Sequence, residues 1–192
     1  MKKIFYSLLA IVCIAACNSA DHNHGVDGAE IIKPGNEVDT AKGSKKAYAT
    51  NKINTATITI KYYSPAVRNR LIWGGLVPFD KVWVAGAHNA TSIETNKELM
   101  IDTKTLPPGK YAFFAIPGNP EWTLIINKNW DQHLADEYSE ADDLIRWKVK
   151  PDTASTLQER LMYDIDQTGE YKGNFQLSWE KLRLKTRFEI KR

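Results

Sequence analysis

Cysteine is almost absent from this 192-residue chain: Cys13 and Cys17 are its only two, and both lie close to the N-terminus. No pair is left to cross-link a folded domain, and no thiol remains there for a thiolate metal site or a nucleophile. Histidine is scarce too, with four in all, of which only His88 and His133 fall in the region that reads as folded. An excess of one charge is also missing. The 26 Lys+Arg stand against 23 Asp+Glu, and loss of Lys2 and Lys3 with an N-terminal signal leaves 24 against 23. No basic run exceeds two residues, as at Lys45 and Lys46, so the chain lacks the concentrated positive face that nucleic acid requires. GxSxG, HExxH, a Gly-rich phosphate loop and CxxC are all missing, which lowers the standing of an enzyme without removing it.

What is present has the balance of a globular protein: 43% hydrophobic residues and a mean hydropathy of −0.42. A single domain of this size buries roughly 70% of its unfolded surface and needs no staple to stay folded. Lys2 and Lys3 precede an apolar stretch over 4–14 that is too short to span a bilayer as a permanent helix and reads as a signal segment. The stretch ends Ile14, Ala15, Ala16, Cys17, which looks like a lipobox, so residues 1–16 are read as a lipoprotein signal peptide and Cys17 as the lipidated new N-terminus. Cys13 is the poorer candidate because Val12 before it is too large. Two or three acyl chains hold a protein at a membrane stably with no transmembrane helix. Residues 17–46 are polar and broken by Gly25, Gly28, Pro34, Gly35 and Gly43, and are read as a disordered tether with a span on the order of 30 Å. His22 and His24 within it lack a third metal ligand.

Residues 47–192 read as strands. Ile58, Ile60 and Tyr62 alternate with Thr57, Thr59 and Lys61; Leu157, Glu159, Leu161, Tyr163 and Ile165 oppose Gln158, Arg160, Met162 and Asp164; Phe175, Leu177 and Trp179 form a third set and Leu184, Thr186, Phe188 and Ile190 a fourth. The segments 82–85, 91–95, 98–102, 111–116, 122–127 and 144–150 are apolar on both faces and belong nearer the middle. One short helix is expected over 133–143. About ten short strands with Gly/Pro turns indicate an all-β, antiparallel β-sandwich, with a small barrel as the competitor.

Six tryptophans are the richest signal for a site, since an indole face can stack on a flat ligand. Trp122, Trp147 and Trp179 alternate with apolar neighbours and are assigned to the core. Trp73 follows Arg68, Asn69 and Arg70; Trp83 precedes Gly86, Ala87, His88 and Asn89; Trp130 sits among Lys128, Asn129 and Asp131. An aromatic beside Arg, Asn and His is the composition of a small polar-ligand site, and equally that of a loop plug closing one end of a sandwich. Arg70, Trp73, Trp83, His88, Asn89 and Thr91 are therefore the candidate ligand-binding residues, expected to converge at one end of the sandwich. His88, His133 and Asp131 have the donor types of a metal triad, but two histidines far apart in sequence are more simply exposed or hydrogen-bonded. No metal, cofactor or catalytic residue is assigned.

Tyr62 to Pro65 with Arg70; Gly75 to Phe79 with Val82 and Trp83; Gly86, Ala87, Ala90 and Thr91; and Leu106 to Tyr111 with Pro117, Gly118, Glu121 and Trp122 form an ordered set. Over about 48–190 the chain resembles the envelope lipoproteins of the Bacteroidetes classed as domain-of-unknown-function family 2911. The resemblance implies a secretion or lipoprotein signal and a β-rich domain, and no established activity. Two positions depart from the family pattern: Val84 follows Trp83 where an Arg is usual, and His88 stands where an Asn is usual.

The combined expectation is a lipid-anchored protein of the cell envelope, at the outer membrane since Asn18 rather than Asp follows Cys17, that binds a glycan, a peptide or another small polar ligand. An envelope hydrolase or metal-dependent enzyme using His88 and Arg70 is the first alternative, and a structural subunit of an envelope complex the second. Cys17→Ala is expected to release the protein from the membrane fraction and abolish lipid labelling; labelling that survives would refute the anchor. Asp39, Thr40, Ala41 and Asp152, Thr153, Ala154 resemble the Asp-Ser/Thr-apolar acceptor for O-glycosylation, with Thr40 and Thr153 as the acceptors. An intact mass above polypeptide plus acyl chains is expected for the native protein.

Overall fold

The computed structural model describes residues 28–192. Cys17, His22 and His24, and with them the expected signal peptide and lipid anchor, lie outside the described residues. Ten strands form two antiparallel sheets facing one another. The larger sheet contains β1 (Lys45–Ile53), β2 (Ala56–Ser64), β3 (Thr91–Thr95), β6 (Gly109–Ile116), β7 (Trp122–Asn127) and β8 (Asp143–Val149), in the order β1-β2-β3-β6-β7-β8. The smaller has the order β5-β4-β10-β9, from β4 (Leu99–Ile101), β5 (Lys104–Leu106), β9 (Asp152–Gly169) and β10 (Lys172–Ile190). The fold is the expected all-β sandwich.

Local chemistry sets the hairpins. Ile53 pairs with Ala56 and Ile101 with Lys104, so each connection has two residues. Asn54 and Asp102 open these turns at φ 53° and 56°, in the left-handed region that Asn and Asp tolerate. On β2 the alternation holds as written, with Ile58, Ile60 and Tyr62 almost completely buried. β6 and β7 are covered on both sides. Phe113, Leu124 and Ile126 belong to the main core between the sheets, while Phe114 and Ile125 face a smaller cluster capped by Tyr138, whose ring meets Phe114 edge-on at 5.3 Å.

The two apolar sets expected over 175–179 and 184–190 are one 19-residue strand, β10. Their parity differs, odd in the first and even in the second, and a continuous pleat cannot bury both. The register shifts on either side of Glu180, which takes φ 54°, and this irregularity turns the second half over so that Leu184, Thr186, Phe188 and Ile190 all point inward. Three further expectations are corrected. Residues 82–85 form no strand, because only Trp83 bridges Ala115. The helix over 133–143 is reduced to a single 3-10 turn at Glu140–Asp142, too few apolar residues repeating there to bury a helical face.

The third concerns the tether. From residue 30 onward the segment lies against the domain. Glu30 bridges Ala47, Ile32 is buried, and Gly35 exchanges hydrogen bonds with β9, accepting from the Glu159 N–H at 2.8 Å and donating to Gln158 Oε1 at 3.3 Å. Asp39 forms an ion pair with Arg160, and Arg68 donates to the carbonyls of Asp39, Ala41 and Gly43. Residues 30–44 are thus a strap laid over β9. Hydrogen bonds to side chains far along the chain hold it, a kind of contact that local composition does not display. For the same reason Gln158 and Arg160, expected on an open face, are 3% and 6% exposed.

The Arg160 guanidinium beside Asp39 holds its carboxyl down at about 2, from an ordinary 3.8. Because the folded value lies below the unfolded one, the stabilisation is complete above 3.8 and is lost as the pH falls through about 2. Asp39→Asn is expected to lower stability by about 1–2 kcal/mol at neutral pH, the partial exposure of the pair limiting the effect. Urea titrations should show the difference from wild type closing toward pH 2; a gap independent of pH would remove Asp39 as its source.

Candidate functional site

Between β2 and β3 the chain runs over residues 65–90 without a strand and closes one end of the sandwich. Tight turns organise it: the Arg70 N–H donates to the Val67 carbonyl at 3.0 Å, Val77 N–H to Ile72 at 2.9 Å and Gly74 N–H to Val77 at 2.9 Å. Gly74 stands at φ 79°, where a side chain would also meet the Phe79 ring. Trp73 drives the loop into the core. Its ring meets Trp83 at 5.8 Å, Trp122 at 4.8 Å and Trp179 at 5.6 Å, each near perpendicular, while Trp83 stacks on Trp179 at 5.9 Å. Trp73 is thereby a wedge rather than a ligand platform, which corrects its assignment to the binding set. The edge-to-face geometry is the favoured one for indoles and satisfies more contacts than exposure would.

The loop and the strap enclose a cleft of about 420 Å³. Arg70, Trp83 and His88, three of the six expected binding residues, line it together. Trp83 is half-buried and donates its indole N–H to the Gly86 carbonyl at 3.0 Å, which turns the ring plane toward Trp179. Arg70 is exposed and donates through Nε and Nη2 to the carbonyls of Val67 and Ala66. The guanidinium therefore satisfies loop carbonyls and also borders the cleft. His88, exposed at φ 60°, lies edge-on to the Tyr63 ring at 5.0 Å.

Two candidates are placed elsewhere. Thr91 is fully buried and its hydroxyl donates to the Ala85 carbonyl at 3.1 Å, so it shapes the loop and faces no ligand. Asn89 pairs with His133 and opens on a separate groove of about 260 Å³ with Trp130 and Lys110, over the outer face of the larger sheet. There the Lys110 ammonium lies 3.3 Å from the Trp130 ring centre, a cation–π contact that occupies the stacking face. Thr40 and Thr153 are both exposed. Among the described residues, no three His, Cys, Asp or Glu side chains are grouped to hold a metal ion.

The sequence reading missed Arg68, Gly43, Ser44, Leu76, Leu134 and Trp179 as cleft-lining residues. Arg68 carried a signal, since it neighbours Arg70 in an otherwise apolar stretch. The others carried none, because their approach depends on the strap and on the turn of β10. Backbone strain also gathers here: of the non-glycine residues with positive φ, Arg68, Ala85, His88 and Leu134 line or adjoin the cleft. Such conformations persist only where surrounding contacts impose them, and they cluster at binding sites.

At Ala85 the imposing contacts are visible. Its carbonyl accepts from Tyr163 Oη at 2.7 Å as well as from Thr91, and Tyr163, fully buried, has its phenol pushed well above the ordinary tyrosine range by burial. The hydroxyl is thus a permanent donor. Gly86 follows in close quarters, where a Cβ would come within 2.8 Å of Thr91 Oγ1. Either donor alone keeps the Ala85 carbonyl bonded. Tyr163→Phe and Thr91→Val should each cost about 1 kcal/mol, and the double variant about 1–3 kcal/mol beyond their sum, because the buried carbonyl is then orphaned. Denaturant unfolding of all four proteins measures the coupling; strict additivity would mean that the carbonyl is served by another donor.

Comparison with known proteins yields one match. No curated protein and no solved structure matches the chain. Residues 44–188, most of the chain and all ten strands save the last two residues of β10, match the model of the family described as "Protein of unknown function (DUF2911)", and the chain belongs to that family.

Proposed function

We propose that this is a lipid-anchored protein of the cell envelope whose domain binds a small organic ligand in the cleft between the 65–90 loop and the strap. The observation that carries the binding reading is the convergence of Arg70, Trp83 and His88 on one cleft of about 420 Å³, within the range of small-molecule sites. The lipobox at Ile14 to Cys17 supports the anchor. Binding is favoured over catalysis, since among the described residues no Asp or Glu lines the cleft to orient His88 and the one side-chain hydroxyl there is that of Ser44. A structural role in a larger envelope assembly is the second reading, favoured by Leu71 and Phe79, which stand 74% and 44% exposed on the same loop.

Ala87 lines the cleft, and Ala87→Phe narrows it. A ligand of the cleft at a hundred times its Kd should raise the melting temperature of the wild type by about 5–10 °C and that of Ala87→Phe by much less. A thermal-shift screen of envelope oligosaccharides, short peptides and small organic acids makes the measurement. Shifts equal in both proteins, or none with any compound, would refute binding at this site.

A further inference from the structure

We infer that the cleft selects an amphipathic organic anion: a carboxylate head on an aliphatic or aromatic body. The inference rests on the reading of this cleft as a ligand site and names the chemistry of its ligand. Among the described residues every ionisable side chain lining the cleft is basic or imidazole, namely Arg68, Arg70 and His88. Equally telling is the amide and acid content. Among the described residues no Asp, Glu, Asn or Gln lines the cleft, so a neutral sugar would find an indole to stack on but no side-chain carboxylate or amide of theirs for its hydroxyls. The remaining wall is apolar, and Leu76 and Leu134 at its mouth are 46% and 39% exposed.

The two guanidinium groups are held in place before any ligand arrives. Arg70 spends Nε and Nη2 on the Val67 and Ala66 carbonyls, and Arg68 spends Nε and Nη2 on the strap carbonyls of Asp39, Ala41 and Gly43. These bonds fix the planar forks while leaving each Nη1 outside them. A guanidinium fixed in this way loses little rotamer freedom on binding, and its Nη1 can donate a charge-assisted hydrogen bond to a carboxylate. An anionic head at the Arg68/Arg70 side and an apolar body along Leu76, Trp83 and Trp179 therefore match the basic and the apolar parts of the cleft. The strap, through Gly43 and Ser44, forms the facing wall.

The test compares decanoate with decanol and decyltrimethylammonium, which keep the body and change the head, with butyrate, which keeps the head, and with chitotetraose and maltotetraose as neutral glycans. Binding to the purified full chain is read from tryptophan fluorescence, to which Trp83 and Trp179 report, and by calorimetry. Decanoate is expected to bind about tenfold or more tighter than decanol, butyrate and the cation, with the preference shrinking as salt is raised. Arg70→Gln should erase most of it. If that variant loses its fold, Ser44→Glu, which adds a negative charge to the half-buried facing wall, should weaken decanoate about tenfold and leave decanol unchanged. Decanol or the cation binding as well as decanoate, or a decanoate preference untouched by Ser44→Glu, overturns the inference. A tetrasaccharide that binds where decanoate does not overturns it while the site survives as a ligand cleft, and silence from the whole panel removes both.

Discussion

Trp73 sits at the point where three pieces of chain with different reasons to be there must meet. Trp122 comes from β7 in the larger sheet, Trp179 from β10 in the smaller, and Trp83 from the far arm of the 65–90 loop. One ring, edge-on to all three, joins the sheets at this end and pins the loop that covers them. The loop has no strand of its own, so its backbone order derives from this contact, from its short turns, and from single bridges to neighbouring strands, Ala66 to Arg160 and Trp83 to Ala115. The arrangement has a cost. The indole N–H groups of Trp73 and Trp179 are buried without a partner, each a penalty of about 1–3 kcal/mol that the ring contacts and apolar burial offset. Arg70 and Trp83 border the cleft only because the loop is held in this way.

A second seam is polar. Glu159 and Arg160 are adjacent on β9, both more than nine-tenths buried, and between them they bind Arg68 N–H, Asp39 N–H, the Asp39 carboxylate and the Ser64 carbonyl. Glu159 Oε2 and Arg160 Nη2 remain unpartnered. Buried charges of this kind are a poor source of net stability and a good source of registry, since any shift of the strap would leave more of them unpaired. The strap ends at the wall of the cleft, and Arg68 links the two. The strap's other end, Glu30, bridges Ala47 of β1 and does not line the cleft.

Much of the sandwich was legible because it depends on local rules. Trp122–Asn127 and Thr91–Thr95 are strands over the same residues that their apolar runs marked, and the Tyr62 face of β2 is buried as its alternation required. The tie between β9 and β10 was only half legible. The odd–even change between Trp179 and Leu184 was written in the sequence, but a reader of periodicity takes it for two strands, since nothing local says that Glu180 at φ 54° carries the chain through. β1 was hidden by its own composition, with Lys45, Lys46 and Lys52 on a strand that also buries Ala47, Ala49 and Ile53.

Alone, the sequence determined the fold class, three of the core tryptophans and two arms of the cleft, because periodicity and turn chemistry act over a few residues. Only the tertiary structure decided the rest. It turned Trp73 inward while leaving Arg70 at the surface, buried Thr91 against Ala85, moved Asn89 to another groove, and laid residues 30–44 over β9. Each of these outcomes depends on a partner far along the chain: Trp179 for Trp73, Tyr163 for the Ala85 carbonyl, Arg160 for Asp39. A polar segment carries no mark of the distant donors that will hold it, so order that rests on long-range hydrogen bonds is decided when the sheets come together and not before.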